Sequence, residues 1–274
     1  MADASTTPVP SALDRFDAFM ASLAGRKPAV FLDYDGTLTP IMPRPDLAVL
    51  DVAVRSGIER LAGLCPVAVV SGRDLEDVAR LVALPGLVYA GSHGFDIRGP
   101  DLRVQIGAEH GPALDRAEAA LRQDLAGIDG ALVERKRFAI AIHTRLVAPQ
   151  SKPAVADAVH RRAAAEEGLR VTGGKEIHEL RPNVPWDKGR AVLSLLDRLG
   201  LAGGAVRPVY IGDDETDEDA FRALAGRGTG IRVMDGPAPT AAEWRLRDPG
   251  EVAVFLARLA DALDLGRPVA TPAL

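Results

Sequence analysis

Two aspartates one residue apart, Asp33 and Asp35, close the short apolar run Val30-Phe31-Leu32, and Gly36-Thr37-Leu38-Thr39 follows. Carboxylates this close repel unless a cation or a proton stands between them, so the spacing points to a metal ion. A second acidic group has the same setting: Val206 to Ile211 is an apolar run, and Gly212-Asp213-Asp214-Glu215-Thr216-Asp217-Glu218-Asp219 comes next. Turn chemistry accounts for Asp35-Gly36, and the N-terminus of a helix accounts for Asp217 to Asp219. Neither accounts for a carboxylate set directly behind an apolar strand, as Asp33 and Asp213 are. A calcium loop is excluded, because the twelfth position is Arg44 counted from Asp33 and Leu224 counted from Asp213, where glutamate is needed. Asp213 is therefore expected to hold metal, with Asp214 and Asp217 behind it.

The elements that must position these groups follow from the apolar pattern. Val30 to Leu32, Pro66 to Val70, Leu87 to Ala90 and Val206 to Ile211 are short apolar runs, each stopping at small and polar residues. Helical spacing is expected over Ser11 to Leu23, Ala48 to Leu64, Leu75 to Leu84 and Trp186 to about Leu199. A further strand is expected over Ile231 to Met234 and a closing helix over Val252 to Leu263. Buried runs separated by helices describe a parallel sheet in an α/β fold. Parallel strands finish on one edge, where ligands bind, so Asp33, Ser71 and Asp213 are expected to converge there. Ser71-Gly72 and Lys188 gain meaning only from that shared edge.

The middle of the chain has another pattern. Between Gly111 and Arg181 it reads helix (Ala113 to Leu125), two strands, helix (Pro153 to Glu167), two strands, with Thr172-Gly173-Gly174 as the last turn. Phe138, Ile140 and Ile142 alternate with Ala139, Ala141, His143 and Arg145, the mark of a sheet covered on one face only. Glu134 and Lys136 share one side of a strand, as do Lys175, Glu179 and Arg181. The expected organisation is a Rossmann-like core from residues 1–110 and 182–274, with residues 111–181 inserted as an α+β cap that can act as a lid.

At 274 residues the chain can bury a substantial core, and its net charge of −5, with lysine and arginine scattered, speaks against nucleic acid or an anionic membrane as a partner. No apolar stretch approaches the ~20 residues of a membrane span. Residues 1–10 show no signal-peptide pattern and, like the last residues, are expected as loose tails. The single cysteine, Cys65, is expected as a buried thiol in a reducing cytoplasm. No nucleotide-binding glycine loop, Gly-x-Ser-x-Gly elbow or His-Glu-x-x-His is present.

Taken together, Asp33-Tyr34-Asp35-Gly36-Thr37-Leu38-Thr39-Pro40-Ile41, Ser71-Gly72-Arg73, Lys188 and Gly212 to Asp219 resemble the four motifs of haloacid dehalogenase-like phosphotransferases. With Gly91-Ser92-His93-Gly94, Glu134-Arg135-Lys136, His143-Thr144-Arg145 and Glu179-Leu180-Arg181-Pro182, the resemblance narrows to the trehalose-6-phosphate phosphatase family, over residues 28 to 262. It implies Mg²⁺-dependent hydrolysis of trehalose 6-phosphate through an aspartyl-phosphate. Asp33 is then the nucleophile and Asp35 the acid and base. Ser71 holds a phosphoryl oxygen, and Lys188 offsets negative charge. The resemblance implies metal contacts from Asp33, Asp35, Asp213, Asp214 and Asp217. It implies substrate contacts from Gly72, Arg73, His93, Glu134, Lys136, His143, Arg145, Glu179 and Arg181. A solvated sheet face remains the alternative for the cap residues. A sucrose-6-phosphate type phosphatase, a phosphomutase and a non-catalytic sugar-phosphate sensor are the competing functions. A dehalogenase needs neither Asp35 as acid nor the metal. A monomer is expected, with an oligomer left open.

Overall fold

A computed structural model of the chain describes residues 9–174 and 176–266. The expected tails at 1–8 and 267–274, and Lys175, lie outside the described residues. The chain divides into two compact units, one of residues 1–103 with 187–274 and one of residues 104–186.

The first unit is built on β1 (Lys27–Leu32), β2 (Val67–Val70), β3 (Val88–Gly91), β4 (Asp96–Gly99), β5 (Leu102–Gln105), and, after the second unit's strands β6 to β9 described below, β10 (Val206–Gly212), β11 (Thr229–Val233) and β12 (Trp244–Leu246). They form one sheet in the order β12-β11-β10-β1-β2-β3-β4-β5. Pairing is parallel from β12 to β3 and turns antiparallel at β4. Beyond its first residue β1 is buried throughout, as a parallel strand covered on both faces must be.

Alternate strand residues face opposite helix layers. Val30, Leu32, Val67, Val69, Val209 and Ile211 join a core with α1 (Phe16–Ser22), α2 (Val52–Ala62), α3 (Leu75–Val82) and, at the end of the chain, α8 (Pro249–Leu265). Phe19 meets Phe255 edge-on at 5.0 Å in that layer. On the opposite face Tyr210 meets Phe221 of α7 (Asp217–Leu224), and α7 packs with α6 (Lys188–Arg198).

Several local expectations change. The first helix begins at Phe16 rather than Ser11, because Ser11 bridges to Arg245 and its hydroxyl accepts from the Asp14 N–H at 3.1 Å. The second begins at Val52 because Asp51 caps it, accepting from the Ala53 N–H at 2.7 Å, after a 3₁₀ turn at Pro45–Leu47. The antiparallel pair β4 and β5 has no counterpart in the sequence expectation. Both strands are four residues long, too short to show a period.

The second unit carries α4 (Gly111–Asp124) and α5 (Lys152–Ala165) with strands β6 (Leu132–Lys136), β7 (Ala139–His143), β8 (Leu169–Gly174) and β9 (Ile177–Pro182), ordered β6-β7-β9-β8 and antiparallel throughout. Ile140, Ile142, Leu169 and Leu180 pack under Leu114, Leu121, Val155 and Val159 of the helices, so one sheet face is covered, as the alternation predicts. Thr172 to Gly174 are strand residues, not the turn. Gly174 pairs with Ile177, and Glu176 takes φ 65°.

Candidate active site

Strand register brings the sequence-predicted groups to one edge. Leu32 pairs with Ile211 on one side and with Val69 on the other, so β1, β10 and β2 end nearly level. Asp33 follows β1, Ser71 follows β2 and Asp213 follows β10, with the Asp33 N–H donating to the Ile211 carbonyl at 2.9 Å. Oxygens of Asp33, Asp213 and Asp217 all lie within 4.8 Å of one another. Gly36 makes this approach possible: it holds φ 79°, and a Cβ there would run into the Asp213 carboxylate. Gly212 does the same for Asp217, whose carboxylate occupies the space of the missing side chain.

Lys188 closes the cluster. It begins α6, whose N-cap Asp187 accepts from the Arg190 N–H at 2.8 Å. Its Nζ donates to Asp33 Oδ1 at 2.9 Å and to Asp217 Oδ1 at 2.7 Å, all three side chains being buried. Asp214 Oδ1 stands 4.0 Å from the same nitrogen and is committed to the turn, accepting from the Thr216 N–H and hydroxyl at 2.8 and 2.7 Å.

Both Asp217 oxygens are engaged by donors. Its Oδ1 accepts from Lys188 Nζ and from the Tyr210 hydroxyl, each at 2.7 Å, and its Oδ2 accepts from the Asp213 and Asp214 N–H groups, each at 3.0 Å. A carboxylate has about four lone-pair sites, and these donors fill them. Asp33 and Asp213 are the acids left to meet a cation. All the donor atoms are oxygens, the set a hard divalent ion takes, and a single buried ammonium does not balance three carboxylates.

The electrostatics agree. Burial drives the Asp33 carboxyl well above the usual carboxylate range; Lys188 pulls it down, and Asp217 and Asp213 push it back up. Asp213 is pushed up to about 7, by burial first and then by Asp217 and Asp214. Burial opposes the Lys188 ammonium, yet Asp217 and Asp33 outweigh it and raise its pKa. The cluster is short of positive charge, which a bound cation would supply.

Stability should register that shortage. A carboxyl whose folded pKa exceeds its unfolded value of about 3.9 keeps extra protons when folded, so stability falls as pH climbs from the unfolded value to the folded one. For Asp213 the window closes at about 7. Metal-free protein is thus expected to melt at lower temperature as pH rises across that window. An increase in melting temperature on adding a divalent cation is expected to grow with it, since cations take ionised ligands. Thermal melts with and without Mg²⁺ across the window check both; an increment that shrinks with pH would count against the cluster as a cation site.

Around this centre, Ser71 is buried and its hydroxyl oxygen accepts from the Arg73 N–H at 3.1 Å, leaving its hydrogen to donate. The loop after β3 is tied to it: the His93 N–H donates to the Ser71 carbonyl at 2.8 Å and the Ser92 N–H to the Arg73 carbonyl at 2.6 Å. Ser92 and His93 hold φ 50° and 57°, a strained conformation maintained by those bonds, and the His93 ring lies against Gly72. Asp35 is placed differently from its neighbours. Both its oxygens meet the Arg73 guanidinium.

On the second unit, the uncovered sheet face carries Glu134, Ala141, Glu179 and Thr172 in one row across four strands. Arg181 sits opposite Arg170 in the next row, beyond Glu179, and Lys136 is paired with Ala139 at the same end. Glu134 meets His143 at 2.7 Å, and Lys136 donates to Glu179 at 3.1 Å. Ala141 is fully buried among the longer side chains of its row. Arg145 is not on this face; it lies exposed in the loop after β7, beside Glu176.

Tyr210, Thr37, Asp77, Arg170 and Thr172 are absent from the sequence-predicted set. Thr37 reaches Asp213 Oδ1 at 3.4 Å and Asp77 holds Arg73 at 2.9 Å. Only Tyr210 carried a signal: a tyrosine inside a buried strand must find a partner for its hydroxyl.

The family model described as trehalose-phosphatase matches residues 31–250. A trehalose-phosphate phosphatase of Mycobacterium avium is 43% identical over 279 aligned residues, covering 96% of this chain and 70% of that protein. One from Mycobacterium tuberculosis is 47% identical over 248, covering 88% of this chain and 63% of that protein. Among solved structures, a trehalose-6-phosphate phosphatase related protein matches with a TM-score of 0.76 at 27% identity, covering 87% of this chain and 100% of that one.

Proposed function

Since the chain belongs to the trehalose-phosphatase family, we propose that it is a phosphoric monoester hydrolase that converts trehalose 6-phosphate to trehalose and phosphate in trehalose biosynthesis. The observation that carries the chemistry is the buried Lys188 ammonium, 2.9 Å from Asp33 and 2.7 Å from Asp217, with Asp213 alongside. A phosphomutase or sensor shares such a scaffold, and the distinction rests on the fate of the phosphoryl group.

Uncatalysed phosphate monoester hydrolysis is so slow that acceleration up to ~10²¹-fold is needed. Attack by the Asp33 carboxylate on phosphorus, in line with the departing sugar oxygen, splits the reaction through a phosphoryl group carried on Asp33. Asp35 gives a proton to the departing oxygen and then takes one from the water that attacks the phosphoryl-aspartate. Lys188 offsets charge on Asp33 and the phosphate, and the Ser71 hydroxyl with the Gly72 N–H donates to a phosphoryl oxygen. Mg²⁺ would be held by Asp33, Asp213 and the Asp35 backbone carbonyl, and when bound it draws charge from the phosphoryl oxygens. Asp214 and Asp217 hold the Asp213 loop in shape. A cytoplasmic location fits the free, buried thiol of Cys65, and among the described residues no helix is long and apolar enough to cross a membrane.

Sugar recognition falls to the second unit's uncovered face, whose acids and bases pair with hydroxyls as they pair with one another here. Glu179→Ala or Glu134→Ala is expected to lower kcat/KM for trehalose 6-phosphate by roughly 10–100-fold, the cost of a charged hydrogen bond. Turnover of a small aryl phosphate should stay within about twofold, since it presents no sugar hydroxyls. Equal losses on both substrates would remove the specificity role. The function itself is tested by phosphate release from trehalose 6-phosphate and sucrose 6-phosphate, with and without Mg²⁺, in water labelled with heavy oxygen. Label in free phosphate supports hydrolysis; phosphate returned to sugar means a mutase.

A further inference from the structure

Arg73 has a different job from the substrate contact that the motif implies. Its Nε donates to Asp35 Oδ2 at 2.6 Å and its Nη2 to Asp35 Oδ1 at 2.7 Å, a two-pronged fork that fixes a carboxylate in plane as well as in place. The guanidinium is itself held from the other side. Nη1 donates to Asp77 Oδ2 at 2.9 Å and Nη2 to the Pro45 carbonyl at 3.0 Å. Its central carbon lies 5.2 Å from the Tyr34 ring centre, and the Tyr34 hydroxyl is anchored to the Ala48 carbonyl at 2.7 Å. Only 10% of the Arg73 side chain is exposed, against 39% for Asp35. An arginine free in solution has rotamer entropy to lose; here the contacts to Asp77, Pro45 and Tyr34 remove that freedom before Asp35 is engaged. Arg73 is the fixed member of the pair.

The consequence is chemical. Each prong of the fork points an N–H at a carboxylate oxygen, and an oxygen that carries a proton cannot face an N–H along the same direction. To carry or hand over a proton on an oxygen that faces the fork, Asp35 must turn that oxygen out. Once the proton is given up the ionised carboxylate returns, and it turns out again to take a proton from water. A guanidinium spent on Asp35 and Asp77 has little left for a phosphate.

We propose that Arg73 is a positioning residue for Asp35, docking its carboxylate between the two proton transfers, and that Asp77 holds the dock. This role rests on Asp35 being the acid and base. Lysine at this position offers a point charge without a fork, so it keeps the charge and loses the orientation.

The test compares Arg73→Lys, Asp77→Asn and Asp35→Asn with the unchanged chain, using trehalose 6-phosphate and p-nitrophenyl phosphate. The nitrophenolate leaves without a proton, so its release in the first turnover does not need the acid. Arg73→Lys is expected to lower kcat on trehalose 6-phosphate by roughly 10–100-fold, the scale of a displaced catalytic group, with KM little changed. Its first-turnover rate of nitrophenolate release should stay near that of the unchanged chain. Asp77→Asn, which leaves Arg73 in place, shifts kcat the same way by less than about tenfold and keeps the proposal testable should Arg73→Lys fail to fold. Raised KM on both substrates with kcat retained means that Arg73 binds phosphate, and the proposal is wrong. Unchanged kcat in Arg73→Lys, beside a large loss in Asp35→Asn, overturns the docking role alone. Full activity in Asp35→Asn overturns the acid–base reading and the docking role with it.

Discussion

Asp33→Asn is expected to cut phosphate release by roughly 10⁴-fold or more, the scale seen when the nucleophile of a concerted catalytic group is removed. An amide oxygen cannot attack phosphorus usefully, and neither Asp35 nor Asp213 can take its place. Asp213 stands on another strand end beside the Thr37 hydroxyl, and Asp35 is turned to Arg73. The fold should not suffer. Asparagine keeps the shape and an oxygen that can accept from Lys188, whose other partner, Asp217, remains. Burial holds the Asp33 carboxyl well above its usual range, so its ionised form is a cost to the folded state near neutral pH, and removing the charge relieves that cost. The melting temperature of the metal-free variant should therefore equal or exceed that of the unchanged chain. Single-turnover phosphate release and thermal melts measure the two halves separately. Activity near that of the unchanged chain would place the nucleophile elsewhere; loss of folding would make the activity loss uninformative and the electrostatic account wrong.

Lys188→Met should do the opposite to stability while also removing activity. The ammonium is 2% exposed and is bonded to two buried carboxylates. Deleting one partner of a buried ion pair leaves uncompensated charge and costs about 3–5 kcal/mol, or roughly 6–20 °C in melting temperature for a domain of this size. Transition-state stabilisation lost with the cation is worth a further ~10²–10³-fold in kcat. The sign with pH is fixed. Without Lys188 the buried carboxyls of Asp33 and Asp217 lose the group that lowers them, so their folded pKa values rise further. The folded variant then binds extra protons, and its stability deficit shrinks as pH falls and widens as pH rises. Melts at mildly acid and mildly alkaline pH read this directly. A deficit of under about 2 °C that does not vary with pH would show that Lys188 is not balancing those carboxylates.

The two variants separate cleanly because they remove opposite charges from one cluster. On the proposed mechanism Asp33 is held in the site for its reactivity and Lys188 for its charge. A structural reading of the cluster predicts destabilisation from both, and a catalytic reading predicts it only from the lysine.

Much of this was already written along the chain. Asp33, Ser71 and Asp213 are each next to a buried strand, and a parallel sheet sends all such strand ends to one edge, so three distant positions could be joined by a local pattern and a rule of topology. The alternation around Ile140 announced the one-sided sheet of the second unit for the same reason, since a period of two needs only neighbours to be seen. Lys188, Tyr210 and Arg73 are of another kind. Nothing near Lys188 in the sequence says that the first turn of α6 meets that of α7, and a strand tyrosine at 210 says only that its hydroxyl needs a partner, not that the partner is Asp217. Asp217 accepts from donors on β10, α6 and its own loop, a set of partners that no linear spacing contains. Arg73 stands two positions after Ser71 in the motif, yet its fork closes on Asp35, 38 positions away. Periodicity and strand ends are properties of neighbouring residues, and they determined the fold class and the location of the site. Which oxygen each cation holds depends on helix packing across the sheet edge, and only the folded chain decides that.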